Sequence, residues 1–424
     1  MDKHSSFLLH NLLDKLQSLF RTDIRYLLKG TAYLSIGQIF AALSGFLLTI
    51  GLVNILDQAN YGLYTYILSL AGMVGAFTLS GMDTTVAQAV AKGFDRTLVR
   101  GFWSKLCWSI PASIVTLCIG GYYVYNQNYI LGVSLLIISL FSPLLSASSL
   151  YGSYFNGKKQ FKKLAFDNAF RNALITVSIL VVAYTTQNVI LIILAYFFSN
   201  TFISAVRFLY LTKKLPVSDS SSDASSMSLG KHLSVMESFS NISMYIDKII
   251  VFQLLGATAL AFYALALAPI KQLQSVSKII RALVLPKFSI RTEGELMKAL
   301  PHKTLIFFFA SLAVAITYCI IAQLLFTSIF PKYSEALLYS QVLSLGLLFM
   351  PFILHAQTLT TLGKKRELYI FNIAKPIVRI ALLVILIPLY GIWGAIFSFI
   401  LTQLITGIIL LALFRKMSNA RVSA

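Results

Sequence analysis

The sequence predicts an all-α membrane protein of about twelve transmembrane helices, and three observations predict it. Of 424 residues, 57% are hydrophobic and only 12% are charged, about half the charge of an ordinary soluble domain. The mean hydropathy is +0.78, and the apolar residues fall in runs of about 20, long enough to cross a hydrocarbon core of roughly 30 Å. The basic residues between those runs alternate between many and almost none from one connection to the next.

Taken in order, the runs bounded by charge, Pro or Gly are 31–55, 61–82, 103–125, 129–151, 170–185, 188–211, 231–254, 260–281, 304–330, 335–360, 368–389 and 391–414. They are called spans 1 to 12 below. Residues 1–30 form an N-terminal arm. Asp2, His4, Asp14, Arg21 and Asp23 interrupt it before any apolar stretch long enough for a cleavable signal. Leu8, Leu9, Leu12, Leu13, Leu16, Leu19 and Phe20 recur at helical spacing with Asp14, Lys15 and Gln17 opposite. Residues 5–21 therefore read as an amphipathic helix on the cytoplasmic membrane face, or else as a soluble leader helix.

The stretch SDSSSDASSMS at 218–228 is the one low-complexity segment. It marks 212–230 as a flexible cytoplasmic linker between an N-lobe, 31–211, and a C-lobe, 231–414, with 415–424 as a tail. The halves echo one another. LDQANYGLYTYILSL at 56–70 is similar to LGATALAFYALALAP at 255–269, setting Tyr64 opposite Tyr263. NGKKQF at 156–161 is similar to LGKKREL at 362–368, each closing the fourth span of its half. An even number of spans per half gives repeats of parallel topology, related by an axis along the membrane normal.

Counting basic residues by connection fixes the orientation. The N-terminal arm has five, and Lys92, Arg96, Arg100 and Lys105 follow span 2. Lys158, Lys159, Lys162, Lys163 and Arg171 follow span 4, and Arg207, Lys213, Lys214 and Lys231 flank the end of span 6. Arg281, Lys287, Arg291, Lys298 and Lys303 follow span 8, then Lys364, Lys365 and Arg366 follow span 10 and Arg415, Lys416 and Arg421 end the chain. The alternate connections hold only Lys332. By the positive-inside rule both termini are cytoplasmic. The formal charge of +20 is thereby accounted for mainly by orientation against an anionic leaflet, and not by nucleic acid.

Five basic residues remain inside spans: Lys248, Lys271, Lys278, Lys375 and Arg379. Each costs roughly 2.5–3.5 kcal/mol at the centre of a lipid-facing helix, so they snorkel, pair or line a wet cavity. Lys278 and Lys375 lie near enough to span ends to reach the headgroups; Lys271 and Arg379 are near mid-span. Lys271, Gln274, Lys278 and Arg281 form one stripe at helical spacing, and Asn372, Lys375 and Arg379 a second. Glu237, Asn241, Tyr245 and Lys248 form a third. Three such stripes in one half suggest helices facing a shared aqueous space, with an anionic ligand because the excess charge is positive. Asp247 and Glu237 are the acidic candidates for a coupling ion; Asp247 is alternatively the counter-ion of a cation on another helix. His355, beside Gln357 in span 10, reads as a core histidine. Pro269, Pro376 and Pro388, with Gly72, Gly75 and Gly81 along span 2, mark expected kinks and close helix contacts.

Other chemistries find little support. Cys107, Cys118 and Cys319 sit singly in apolar runs and read as small core residues, with neither a disulfide framework nor a metal site. No Walker loop or HExxH motif occurs, and the outer connections are about 1–6 residues long, too short for the large extracytoplasmic loop of a membrane glycosyltransferase or polymerase. The chain does not read as an enzyme.

Four stretches then carry a resemblance over nearly the whole chain: 37–73 (GQIFAALSGFLLTIGLVNILDQANYGLYTYILSLAGM), 246–276 (IDKIIVFQLLGATALAFYALALAPIKQLQSV), 283–288 (LVLPKF) and 386–398 (LIPLYGIWGAIFS). The sequence resembles the Wzx-type polysaccharide flippases of the multidrug/oligosaccharidyl-lipid/polysaccharide exporter superfamily. The resemblance implies two lobes related by a pseudo-two-fold axis, V-shaped around a central cavity lined by spans 1, 2, 7 and 8. It implies a cargo of undecaprenyl-pyrophosphate-linked oligosaccharide, moved from the cytoplasmic to the periplasmic leaflet of the bacterial inner membrane by alternating access. A proton or sodium gradient would drive this, with no other cofactor. A polysaccharide polymerase and a chain-length regulator are the implied partners. On that likeness Lys271 is the first substrate candidate, with Lys278, Lys248, Lys375 and Arg379 behind it and Gln38, Asn241, Gln274 and Asn372 as polar lining. The first half departs from a fully basic cavity, because spans 1 and 2 offer only Gln38 and small hydroxyl or amide groups at depth. A drug or cation antiporter of the same superfamily is the alternative; it would need acidic cavity residues where this chain places basic ones.

Overall fold

The computed structural model describes residues 24–215, 224–288, 293–362 and 364–422. These are almost all helical, joined by short turns, with no strand among them. The predicted amphipathic helix at 5–21 lies outside the described residues, as do the side chains of Glu237, Lys278 and Arg281.

Ten helices are long and apolar enough to cross a membrane, and a bent pair, Gln58–Ala76 with Gly81–Ala91, makes an eleventh span. The twelfth comes from the longest helix. Ala224–Phe288 is broken at Gly256, whose φ of 86° is open to glycine without the Cβ clash that other residues meet. The chain doubles back there. The Tyr263 hydroxyl meets the Asp247 carboxylate at 3.1 Å, although a straight helix would hold positions 16 residues apart about 24 Å from one another. Spans 7 and 8 are the two arms of this hairpin. The chain is therefore a multi-pass membrane protein of about twelve helices.

The repeat explains the turn chemistry. Asp57 in the first half aligns with Gly256 in the second. Asp57 caps the start of span 2, its carboxylate accepting from the Asn60 amide at 3.1 Å; Gly256 makes the corresponding turn through backbone freedom alone. The aligned tyrosines, Tyr64 and Tyr263, are both buried. Span 2 bends by 55° at residues 77–80, between the glycines expected to mark a kink.

The lobes meet chiefly along span 2 and the span 7–8 hairpin. At one end Tyr66 stacks on Phe252 with ring centroids 3.7 Å apart and accepts from Gln253 Nε2 at 2.7 Å. Gly62 comes so near Ala257 that an added Cβ would lie 1.9 Å from its carbonyl oxygen. At the other end the Gly81 amide donates to Ser234 Oγ at 3.0 Å, and Ser238 Oγ donates to the Ala76 carbonyl at 2.7 Å. The end opposite the basic connections is latched further. Lys332 Nζ donates to the Asn54 carbonyl at 2.9 Å, Gln58 donates to the Lys332 carbonyl at 2.8 Å, and Tyr61 meets Tyr333 edge to face.

Four sequence readings need correction. Span 5 begins at Phe161, not near 170, so Lys162, Lys163 and Arg171 are on the helix and not in a connection. Lys105 is likewise inside the helix Thr97–Tyr125, 3% exposed. The linker predicted over 212–230 is shorter, because residues 224–230 already belong to the span 7 helix. Cys107 and Cys118 lie on exposed helix faces instead of the core. A membrane helix is apolar on its lipid face as well as its packed face, so composition does not separate the two.

Candidate functional site

The mid-span charges of the C-lobe gather around one carboxylate. Asp247 is supplied by span 7, Tyr263 and Lys271 by span 8, Arg379 by span 11 and Phe399 by span 12. The hairpin at Gly256 sets Tyr263 beside Asp247, and the 26-residue helix Lys365–Tyr390 carries Arg379 into the same layer.

Asp247 is 2% exposed and Arg379 is 5% exposed. Arg379 Nη2 donates to Asp247 Oδ2 at 3.1 Å and to the Tyr263 hydroxyl at 3.0 Å. That hydroxyl donates to the same carboxylate oxygen at 3.1 Å, closing a three-membered ring of hydrogen bonds. The second oxygen, Oδ1, accepts from the Lys248 backbone amide at 2.9 Å. Arg379 Nη1 is buried with no hydrogen-bond partner among the described residues.

Lys271 completes the cluster from the open side. Its amine lies 5.8 Å from the centroid of the Phe399 ring, and the Arg379 guanidinium lies 5.1 Å from the same centroid, within the range of cation–π attraction. Lys271 is solvent-exposed, yet Asp247, Arg379 and Lys248 are its charged neighbours. We read a side chain both exposed and ringed by charge as one that lines a recess. One carboxylate faces three cations, leaving a net charge of about +2 if all are ionised. Such a recess attracts anions and repels cations.

Of the residues singled out in the sequence, the structure unites Asp247, Lys248, Lys271 and Arg379. Gln38, Asn241 and Gln274 are half-buried, and Asn372 and Lys375 are exposed on the helix that carries Arg379. Two expectations change. Arg379 was expected as a cavity cation; it is committed to Asp247 in a buried ion pair, which leaves Lys271 as the exposed member. The third polar stripe does not face water along its length, because the Tyr245 ring presses on span 2 where a Cβ at Gly72 would lie 2.3 Å from it. Span 7 here forms a packed seam with the other lobe. His355 is core, between Phe352 and Phe414, though its Nδ1 has no hydrogen-bond partner among the described residues.

Sequence reasoning missed Tyr263 as a member of the site, although the repeat had singled it out as the partner of Tyr64. It also missed the first-half cation. Arg171 sits ten residues inside its helix, and lines a polar cleft with Asp83, Ser149, Ser153, Asn156 and Asn168.

Comparison with known proteins agrees with this architecture. Residues 27–290 match the family model described as polysaccharide biosynthesis protein. The chain belongs to the polysaccharide biosynthesis protein family. A "Putative O-antigen transporter" of Shigella flexneri is 23% identical over 402 residues, covering 86% of this chain and 92% of the relative. Among solved structures, the lipid II flippase MurJ in an inward closed conformation superposes with a TM-score of 0.65 at 14% identity, over 90% of this chain and 87% of its own. A multidrug resistance MATE family transporter in an outward-facing conformation superposes with a TM-score of 0.60 at 13% identity, over 93% and 96%. These likenesses concern the fold.

Proposed function

We propose that this protein is a flippase of the bacterial inner membrane. It moves undecaprenyl-pyrophosphate-linked oligosaccharide from the cytoplasmic to the periplasmic leaflet by alternating access, coupled to a proton or sodium gradient. One observation carries the reading: an exposed lysine, Lys271, at mid-span depth in a recess of net positive charge. A lone exposed cation at that depth is unfavourable unless an anionic partner visits it. A pyrophosphate supplies such a partner, and charge-assisted hydrogen bonds to phosphate oxygens are among the stronger ones available.

Within this reading Asp247 holds Arg379 in place and tempers the recess, so that cargo is held but not trapped. It is also the candidate for the coupling ion, because a proton on its carboxylate would release Arg379 toward the cargo. Both termini and the basic connections are cytoplasmic, and the latch at Lys332 closes the periplasmic end. The oligosaccharide polymerase of the pathway would receive the product.

The test is Lys271→Ala in cells that depend on this protein for a surface polysaccharide. Loss of the polysaccharide with normal protein abundance is expected. Unchanged polysaccharide would remove Lys271 from transport, and resistance to cationic drugs conferred by the wild-type protein would favour an antiporter instead.

A further inference from the structure

A second cleft lies in the N-lobe, away from the Asp247 cluster and toward the end of the molecule that carries the basic connections. It is a shallow, widely open cleft with a volume of about 360 Å³, within the size range of small-molecule sites, roughly 300–1,000 Å³. The helical segment Tyr129–Gly157, span 4 with its cytoplasmic extension, contributes Ser149, Ser153 and Asn156, which share one face by their spacing; span 5 contributes Asn168 and Arg171, one turn apart on another. The two polar faces look at each other across the cleft.

The charges decide what it takes. Asp83, on the cleft wall, is paired with Lys105 at 2.9 Å and accepts from Ser153 at 3.2 Å. Asp167, one turn before Arg171, is paired with Arg207 at 2.9 Å. Arg207 also donates to the Tyr151 hydroxyl at 3.3 Å. Asp167 also feels the charge of Arg171, but no ion pair or hydrogen bond between the two is formed among the described residues. The Arg171 Nε is buried and has no hydrogen-bond partner among the described residues. Arg171 stands about 15 Å along its helix from the first residue, by the helical rise of 1.5 Å per residue. A buried guanidinium N–H without an acceptor is costly, and it is well matched to the oxygens of a phosphate or carboxylate. The surrounding amides and hydroxyls can donate to and accept from sugar hydroxyls.

From this we infer that the Arg171 cleft is a second substrate subsite, in the N-lobe, for the phosphate- or carboxylate-bearing part of a sugar. The inference rests on the transport reading above and deepens it. The cargo is gripped from both lobes, by the Lys271 recess on one side and by Arg171 on the other. A phosphate group could equally arrive on a bilayer phospholipid, and the experiment separates the two sources.

The full-length protein carrying Lys271→Ala, which silences the C-lobe recess, is purified in phosphatidylcholine nanodiscs and titrated with glucose 1-phosphate. Saturable binding is expected, with glucose weaker. Adding Arg171→Gln should weaken it about tenfold or more, as expected for loss of a charged hydrogen bond, while Arg171→Lys retains part of it. Asn168→Ala, which leaves every charge in place, should weaken binding severalfold without changing thermal unfolding, and so guards against a misfolded Arg171 variant. Binding that ignores both Arg171→Gln and Asn168→Ala overturns the inference. So does a cleft that binds no glucose 1-phosphate and is instead protected only in phosphatidylglycerol nanodiscs, since that is a lipid site. The transport reading fails separately, on surface polysaccharide that survives Lys271→Ala in cells.

Discussion

Breaking the Asp247–Arg379 pair one side at a time should cost far more than removing it whole. The two groups are 3.1 Å apart, with side chains 2% and 6% exposed. At an effective dielectric of about 20, opposite charges at that distance attract by about 5 kcal/mol. That attraction offsets the cost of burying both ions. Asp247→Asn leaves Arg379 charged and buried with only the Tyr263 hydroxyl and an amide oxygen for company. Arg379→Met leaves Asp247 with the Tyr263 hydroxyl and one backbone amide. Each single variant is expected to lose about 3–5 kcal/mol, the cost of orphaning a buried charge. The double variant Asp247→Asn/Arg379→Met should lie at least 2 kcal/mol above the sum of the singles, because neither member of the buried pair is then left without the other. The assay is unfolding of the purified protein in mixed micelles, followed by circular dichroism, as a double-mutant cycle. Additive losses, or single variants within about 1 kcal/mol of wild type, would show that water reaches the pair and that the dry ring of hydrogen bonds is not what holds Arg379.

Two further outcomes follow from contacts elsewhere. Asp83→Asn should destabilise more than Lys105→Met in the same unfolding assay. The first strands a lysine side chain that is 4% exposed; the second strands a carboxylate that is 44% exposed and can hydrate. Gly62→Ala places a methyl 1.9 Å from the Ala257 carbonyl oxygen. The end latched by Lys332 should then open, and a cysteine introduced as Leu56→Cys, buried in wild type, should become reactive to a water-soluble maleimide. Unchanged labelling in a cysteine-free background would show that the helices shift to absorb the methyl.

The helix count and its regular alternation were legible because burying a charge in hydrocarbon is so unfavourable that nearly every basic residue marks a span end. The exceptions were harder to read for the same reason. Lys105 and Arg171 lie inside their helices, and a one-dimensional count assigns them to the nearest connection. Their places depend on acids distant in sequence, Asp83 for Lys105, or on a cleft between two helices for Arg171. The pairing of Asp247 with Arg379 was open in the sequence as one of two roles for that carboxylate, since a separation of 132 residues is decided by tertiary packing alone. The hairpin that presents Tyr263 was visible as a repeat, but not its chemistry: Asp57 and Gly256 make equivalent turns with unrelated side chains. Polar stripes at helical spacing did not separate Lys271, which is exposed, from Tyr245, which packs on span 2, because the same periodicity serves a wet wall and a packed seam.

The approach of Gly62 to the Ala257 carbonyl sets how the two halves can part. Side chains that touch across a gap yield by degrees, through rotamer changes and bending stems. Main chain resting on main chain has no such slack: it is seated or it is lifted clear. If the halves part as the proposed transport requires, a joint built on that contact would pass between two positions with little between them, as tightly packed interfaces tend to do. The width of the closed end is then fixed by the thickness of a peptide unit, which no exchange of neighbouring side chains can alter.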